Sequence, residues 1–469
     1  MKGTILFLAV ALAAAGAQQR GGRIEVAVDP RVELMSIIFR LAGNREYNQP
    51  NSRSPYSRAV KEHFEEFAEH PVVRRAAALR RNRGVSFDAV MSMAMHIRDT
   101  RRMQELIPFD RKPERLDRRW PLKEARLFLE EARDFAAKSD FNGFFRRQGE
   151  LYTQTAARMR KVLAQRPYVS WFDTFFGARR QAKFVLSPGL LLGGSCYGSG
   201  IRHPNGREVI HPVIGVWKFD EKGIPLFHGS IAGTVAHELC HSYTNPIVDR
   251  HADKLEAAGK KIFATCAAKM RRMAYGSWKT MIYESLVRAC VVQYLAATGG
   301  DEAAAKEVER QHGRGFLWVG GLAELLEEYE SGRKKYRRFD DFMPRVAAFF
   351  DDYAEEAEKQ AADTPRVVSM TPANGAADVD PGLKEIIVVF DRPMMDRMWS
   401  VVGGGPHFPE MTGKVHYRKD MKTFVIPVKL KPDWSYRFWL NRGKYNTFRS
   451  REGVPLSSVA VRFETRAAK

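Results

Sequence analysis

The spacing of apolar residues changes period three times along this chain, and that succession limits the architecture more than any other feature. From Asp29 to about Lys161 apolar positions recur three and four apart, as in Leu34 to Leu41, Val60 to Phe67 and Leu127 to Ala136, which is the period of helices with one buried face. Between Ala182 and Phe219 the pattern turns β-like at Phe184 to Leu186 and Val209 to Trp217, with Pro204, Asn205 and Gly206 as a turn between strands. Helical spacing resumes at Ser230 and persists to about Ala361, with Gly299-Gly300 and Gly320-Gly321 expected to interrupt it. After Asp363 come short alternating runs separated by Asn374-Gly375, Pro381-Gly382, Gly403 to Pro406 and Glu452-Gly453, the signature of strands and tight turns. The expected class is therefore α+β: a mainly helical domain over 18–363 with a small sheet, then an all-β domain over 364–469. With 44% hydrophobic residues in 469, both parts can bury a core.

The first residues read as an export signal spanning 1–17. Lys2 precedes an apolar stretch from Ile5 to Ala15, and Ala15, Gly16 and Ala17 give the small-residue pattern cut by signal peptidases, placing cleavage near Gln18. That stretch is shorter than the ~20 apolar residues a membrane span needs, and no later charge-free segment reaches such a length. The mature chain is thus expected outside the cytoplasm, periplasmic or extracellular, with no transmembrane segment and no cysteine at the cut to carry a lipid. In an oxidising compartment Cys196, Cys240, Cys266 and Cys290 allow three pairings, of which Cys266 with Cys290, on consecutive helices, is the expected bridge.

His237, Glu238, Leu239, Cys240 and His241 spell HExxH after the helix-forming run Ile231 to Val235. Residues four apart share a helix face, so both imidazoles can reach one ion, and Glu238 is displaced around the helix to where it can act on water. A catalytic zinc takes three protein ligands and keeps one position open, so one more ligand is required. The HExxHxxGxxH continuation is absent, because Thr244 and Ile247 occupy its positions. Glu284, in the helical stretch Tyr283 to Ala289, is the preferred third ligand; Asp249 and His251 are closer in sequence and could serve instead or orient a ligand. The plain alternative for Glu284 is an i, i+4 pair with Arg288. An oxyanion helper could come from Tyr275, Tyr243, Tyr197 or His228, which the sequence does not separate. The strand region Val213 to Trp217 is the expected sheet edge along which an extended peptide would lie.

The motif helix followed by a later glutamate resembles the gluzincin arrangement of zinc peptidases. More closely, Asp29-Pro30-Arg31-Val32-Glu33-Leu34, His237 to Tyr243 with Asn245-Pro246, and Tyr283-Glu284 with Arg288-Ala289 resemble a bacterial family of exported HExxH proteins known as a domain of unknown function, over about Arg23 to Ala361. The resemblance implies Zn²⁺ held by His237, His241 and Glu284, with Glu238 catalytic. It supplies no substrate, and Arg288 stands where some gluzincins carry an acidic residue.

Residues Val367 to Thr465 resemble bacterial immunoglobulin-like modules through Thr371 to Ala376, Val379-Asp380-Pro381, Phe390 to Met394 and Val461 to Thr465. Basic residues gather there after Lys414 (Arg418, Lys419, Lys422, Lys429, Lys431, Arg442, Lys444, Arg449 and Arg451), within a chain of net charge +21. Such a surface favours anionic cell-envelope polymers. No nucleic-acid motif accompanies the charge, so no dedicated nucleic-acid binding is expected. The leading expectation is an exported zinc metallopeptidase acting on a peptide or protein substrate; the alternative is an envelope-binding or adhesion protein whose metal is structural.

Overall fold

The computed structural model describes residues 24–179, 181–229 and 231–467, so the expected export signal lies outside the described residues. Two compact units divide between Asp351 and Asp352, inside the helix Phe339–Asp363. The architecture is α+β, with helices and one small mixed sheet in the first unit and antiparallel strands in the second.

The helices of the first unit begin where local chemistry satisfies their first amides. Pro30–Leu41 starts with Pro at the first turn and the Asp29 side chain accepting from Arg31 N. Pro55–Phe64 starts with a capping box between Ser54 and Ser57. Pro71–Arg83 ends at Gly84, whose φ of +69° supplies the left-handed residue that closes a helix. With Leu122–Lys138 they bury Phe39, Phe64, Phe128, Phe135 and Trp120 in one aromatic-rich core. The segments read as helical from the sequence fall on these elements.

Gly299-Gly300 does end a helix, Trp278–Gly299. Gly320 and Gly321 do not interrupt one: both lie in the first turn of Val319–Ser331, where a Cβ would meet Val308 at 3.2 Å and Phe349 at 3.3 Å. Close packing, which the sequence does not display, favours these glycines, since a Cβ would push each neighbour by a few tenths of an ångström, and the chain turns at Gly315 instead, at φ +100°.

In the small sheet Ala182–Gly189 is central. Leu186 O accepts from Ala27 N at 3.2 Å while Ser187 N donates to Pro212 O at 3.1 Å, so the two sides of one peptide face two different neighbours. Glu25–Val26 pairs parallel on one side; Glu208–Ile210 and Val213–Gly215 pair parallel on the other. Cys196–Tyr197 and Gly200–Arg202 then pair antiparallel with those strands, turning through Pro204 to Gly206 as expected. This corrects the expected edge: Val213–Gly215 is interior, covered by Cys196–Tyr197, and Trp217 lies beyond the strand. Residues 196–202 form the edge.

The Asp-Pro-Arg-Val-Glu-Leu segment joins the first helix to this sheet. Glu33, fully buried, accepts from Tyr56 OH at 2.7 Å and from Leu190 N at 3.0 Å, and Tyr152 OH donates to Tyr56 OH at 2.9 Å. Burial pushes the Glu33 carboxyl up to about 7, despite those donors.

The second unit holds two antiparallel sheets. One contains Val367–Thr371, Glu385–Phe390 and Thr423–Lys429 with two short strands; the other contains Ser435–Leu440, Val459–Glu464 and Val401–Val402. Tyr436, Phe438 and Leu440 alternate inward as expected, joining Ile386, Val388, Phe390, Val461 and Phe463 in the core. The end of the helix Phe339–Asp363 is closed by Arg392, which donates to Ala362 O at 2.7 Å and Asp363 O at 2.9 Å, where helical carbonyls lack amide partners.

Because Glu33 binds its proton more tightly in the fold than in the unfolded chain, its contribution is fully present below about pH 4.5 and is lost as pH rises through about 7. Between pH 5 and pH 8 the unfolding free energy from urea titration is therefore expected to fall further in the wild type than in Glu33→Gln, by roughly 3 kcal/mol at most. Parallel pH dependence in the two proteins would contradict this.

Candidate metal centre

The motif helix is Ile231–Arg250, and it contains Pro246. Proline lacks an amide, so the carbonyl four residues earlier, that of Ser242, loses its helical donor. Arg179 Nη2 donates to Ser242 O at 3.1 Å in its place, and Arg179 is held by Glu208 at 2.9 Å, with Arg115 on the same carboxylate. The Asn-Pro step thus becomes the anchor that ties the motif helix to the strand Glu208–Ile210.

His237 and His241, four apart, set their rings nearly perpendicular, edge to face, with centroids 4.9 Å apart. Glu284 comes from the helix Trp278–Gly299, whose start is capped by Ser277 accepting from Thr280 N. Glu284 Oε2 lies 3.5 Å from His237 Nε2, and Oε1 lies 3.5 Å from His241 Nε2. The three ligand atoms fall within 4.8 Å of one another. Tetrahedral bonds of about 2.1 Å place neighbouring ligand atoms about 3.4 Å apart, so the separations suit one small divalent cation, and two imidazoles with a carboxylate form a donor set such an ion accepts.

The surrounding groups orient these donors. Asn245 Oδ1 sits 3.2 Å from His241 Nδ1, so that nitrogen carries the proton and Nε2 keeps its lone pair for an ion. Arg288 Nη2 donates to Glu284 Oε2 at 2.7 Å and to Tyr275 OH at 2.9 Å, and its Nη1 donates to Gln311 Oε1 at 2.6 Å. The i, i+4 pair of Glu284 with Arg288 is therefore real and buried, and it coexists with the approach to the histidines. Burial, followed by the neighbouring His241 and Arg288, holds His237 well below the ordinary histidine range, which keeps it neutral and able to ligate.

Glu238 is buried beside this group. Burial, then the charge of Glu284, raise its carboxyl well above the usual carboxylate range, with Arg288 and the nearby Gly198 amide of the edge segment opposing them in part. Gly198 is required by the close approach: a Cβ there would lie 2.5 Å from Glu238 O and 2.8 Å from His241 Cβ. Burial, then the neighbouring Glu238, pushes up the thiol of Cys196, two residues earlier, so that it stays protonated.

The other residues considered from the sequence separate here. Asp249 points away, bound by Tyr283 OH and by Lys279 Nζ at 2.5 Å, and His251 pairs with Asp340 at 3.3 Å; neither joins the metal group. Tyr275 does reach the site, through Arg288 and Glu284. Tyr243 instead stacks between Phe172 and Phe176, at 5.1 and 4.9 Å, under Arg179. Tyr197 alternates to the far face of the edge strand from Cys196 and is buried, and His228 is exposed beside Trp217 and Leu226.

The expected Cys266–Cys290 bridge is not formed, and all four cysteines are free. Cys266 Sγ packs against Met281 Sδ at 3.7 Å, nine residues and roughly 13 Å of helix before Cys290. Cys290 faces Cys240 on the motif helix. Asn245 and Gly198 were not assigned these roles from the sequence. The signal for Asn245 was its position four residues after His241; Gly198 offered none, because its neighbour is set by tertiary approach.

The profile of a family described as "Domain of unknown function (DUF4932)" matches residues 24–349. No curated protein matches the chain. Among solved structures, the surface layer protein SbsC, domains 1–6, aligns at 14% identity with a TM-score of 0.19, over 54% of this chain and 35% of that one. The S-layer protein rSbsC(31–844) aligns at 13% identity with a TM-score of 0.17, over 85% and 46%. This chain thus spans less than half the length of either, and at such scores the likeness carries no argument.

Replacing Asn245 by Ala frees the His241 tautomer without touching a ligand atom. Competition with a chromophoric chelator is expected to show divalent-metal affinity 10–100-fold weaker, with the fold retained; unchanged affinity would contradict the role given to Asn245.

Proposed function

This chain belongs to the DUF4932 family, and from that premise we propose that it is an exported zinc-dependent metallopeptidase with a gluzincin-like site, carrying a C-terminal immunoglobulin-like module. The observation that carries the reading is the convergence of His237, His241 and Glu284 at 3.5 Å beside the buried carboxylate of Glu238. Zinc, when bound, supplies Lewis acidity, polarising the substrate carbonyl and making water more acidic.

The chain's own groups perform the proton transfers. Glu238, with its proton affinity raised by burial, takes a proton from the attacking water and passes it to the leaving amine. The nearby Gly198 amide favours the charged form of that carboxylate. Tyr275 OH, fixed by Arg288 at 2.9 Å, is the donor suited to the developing oxyanion. An extended peptide would lie along residues 196–202, the sheet edge that runs past the motif helix.

Purified protein is expected to retain one zinc per chain and to cleave a mixed peptide library, with loss on chelation. Glu238→Gln is expected to keep the metal while losing about 10²–10⁴-fold in rate, read by mass spectrometry of the products. Unchanged hydrolysis in that variant would refute the base.

A second reading, an envelope-binding or adhesion protein with a structural metal, is favoured by one observation. Arg442 and Arg437 flank the half-buried Trp439 at 3.8 and 5.6 Å, and Tyr445 is 54% exposed beside Lys444, a cationic surface with an exposed aromatic ring. On this reading Glu238→Gln leaves binding to isolated envelopes intact, whereas removal of 364–469 abolishes it. Among the described residues no helix is long and apolar enough to cross a membrane.

A further inference from the structure

The cationic groups next to the metal group outnumber the anions that neutralise them. The helix Asp301–Arg314 presents Glu307, Arg310, Gln311 and Arg314 along one face, at spacings of three and four. That face is pressed against the helix carrying Glu284, because the fully buried Gln311 accepts from Arg288. Past Gly315 the chain turns so that Phe316 lies under the Arg288 guanidinium at 4.5 Å, with its ring 6.1 Å from that of Tyr275. Arg314 is exposed one turn beyond Gln311 on that face and next to Gly315, and its charge acts on Arg288, on Tyr275 and on His237.

The available carboxylates are already committed. Glu307 is paired with Arg310, whose Nε donates at 2.8 Å, and Glu284 serves Arg288 and the histidines. Arg288 Nε is buried and has no acceptor. Arg314 makes no ion pair among the described residues, and neither does Lys269, whose side chain lies over Gly315, with Nζ 3.3 Å from where a Cβ would stand. Basic residues suit the last turn of a helix, and Lys269 and Arg314 each occupy one; that does not account for the Lys269 side chain lying across to Gly315, nor for a buried guanidinium short of an acceptor.

We propose that Arg314, backed by Arg310, Arg288 and Lys269, receives a carboxylate of the substrate beside the metal centre, which makes the preferred substrates acidic peptides or peptides bound through their free C-terminus. This rests on the peptidase reading and narrows it. A carboxylate is the matching chemistry, since a planar guanidinium offers it paired donors.

The test is equilibrium binding, measured without turnover. Zinc-loaded, full-length Glu238→Gln protein is titrated into fluorescent hexapeptides and followed by anisotropy. Four peptides share one neutral sequence: with a free C-terminal carboxylate, with a C-terminal amide, and as the amide with one Asp or with Asn in its place. At least one carboxylate-bearing peptide is expected to bind about tenfold or more tightly than its neutral partner, and the one that gains identifies whether terminus or side chain is read. Arg314→Gln, added to the same protein, reduces the difference to within about twofold, and Arg314→Lys retains part of it because the charge remains. Equal binding of all four peptides, no binding of any, or a preference that survives Arg314→Gln would overturn the proposal. Hydrolysis by the wild type without carboxylate preference would sink this inference and spare the peptidase reading; carboxylate-selective binding with no hydrolysis of any peptide would do the reverse.

Discussion

The buried carboxylate of Glu284 sets the terms for the rest of the first unit. It lies between two imidazoles at 3.5 Å and a guanidinium at 2.7 Å, largely out of water. A carboxylate so placed is costly unless every lone pair is met, and a single arginine does not meet them all. A divalent cation on the open side would complete the set. Three helices are arranged around that requirement: one carries the histidines, one the glutamate and Arg288, and the third Gln311, which fixes Arg288. The motif helix is in turn fixed to the sheet because Pro246 frees the Ser242 carbonyl for Arg179.

Much of this was legible from residue spacing. Helical and β periods located the elements of both units, and HExxH with Glu284 named three side chains that the fold brings together, because residues sharing a helix face leave periodic traces. What failed was information held only in tertiary approach. The edge of the sheet was misplaced because strand order is not a local property: Val213–Gly215 carries the apolar residues of a good strand, yet Cys196–Tyr197 pairs outside it. The cysteine pairing failed because consecutive helices do not specify which faces meet, and Cys290 turns to Cys240 rather than to Cys266. Gly320 and Gly321 were read as breakers when their service is to let Val308 and Phe349 come close. Among the four oxyanion candidates only Tyr275 reaches the centre, a choice made by its bond to Arg288.

The two units put the chain's excess positive charge to different uses. In the second unit the basic residues stand on the outward positions of strands and turns whose inward positions build the core, so charge and packing are separated by strand alternation. In the first, arginines penetrate: Arg288 is buried, and Arg115 and Arg179 converge on Glu208. Buried guanidinium groups here join elements distant in sequence, which a planar fork with several donors does well.

The central claim is that His237, His241 and Glu284 bind one zinc ion. Zinc K-edge X-ray absorption on the purified full-length protein tests it most directly. The account predicts stoichiometric zinc with two imidazole nitrogens and carboxylate oxygen in its coordination shell at about 2.0–2.2 Å, and loss of that spectrum in Glu284→Gln. Protein that holds no zinc, or a spectrum that Glu284→Gln leaves unchanged, would contradict it.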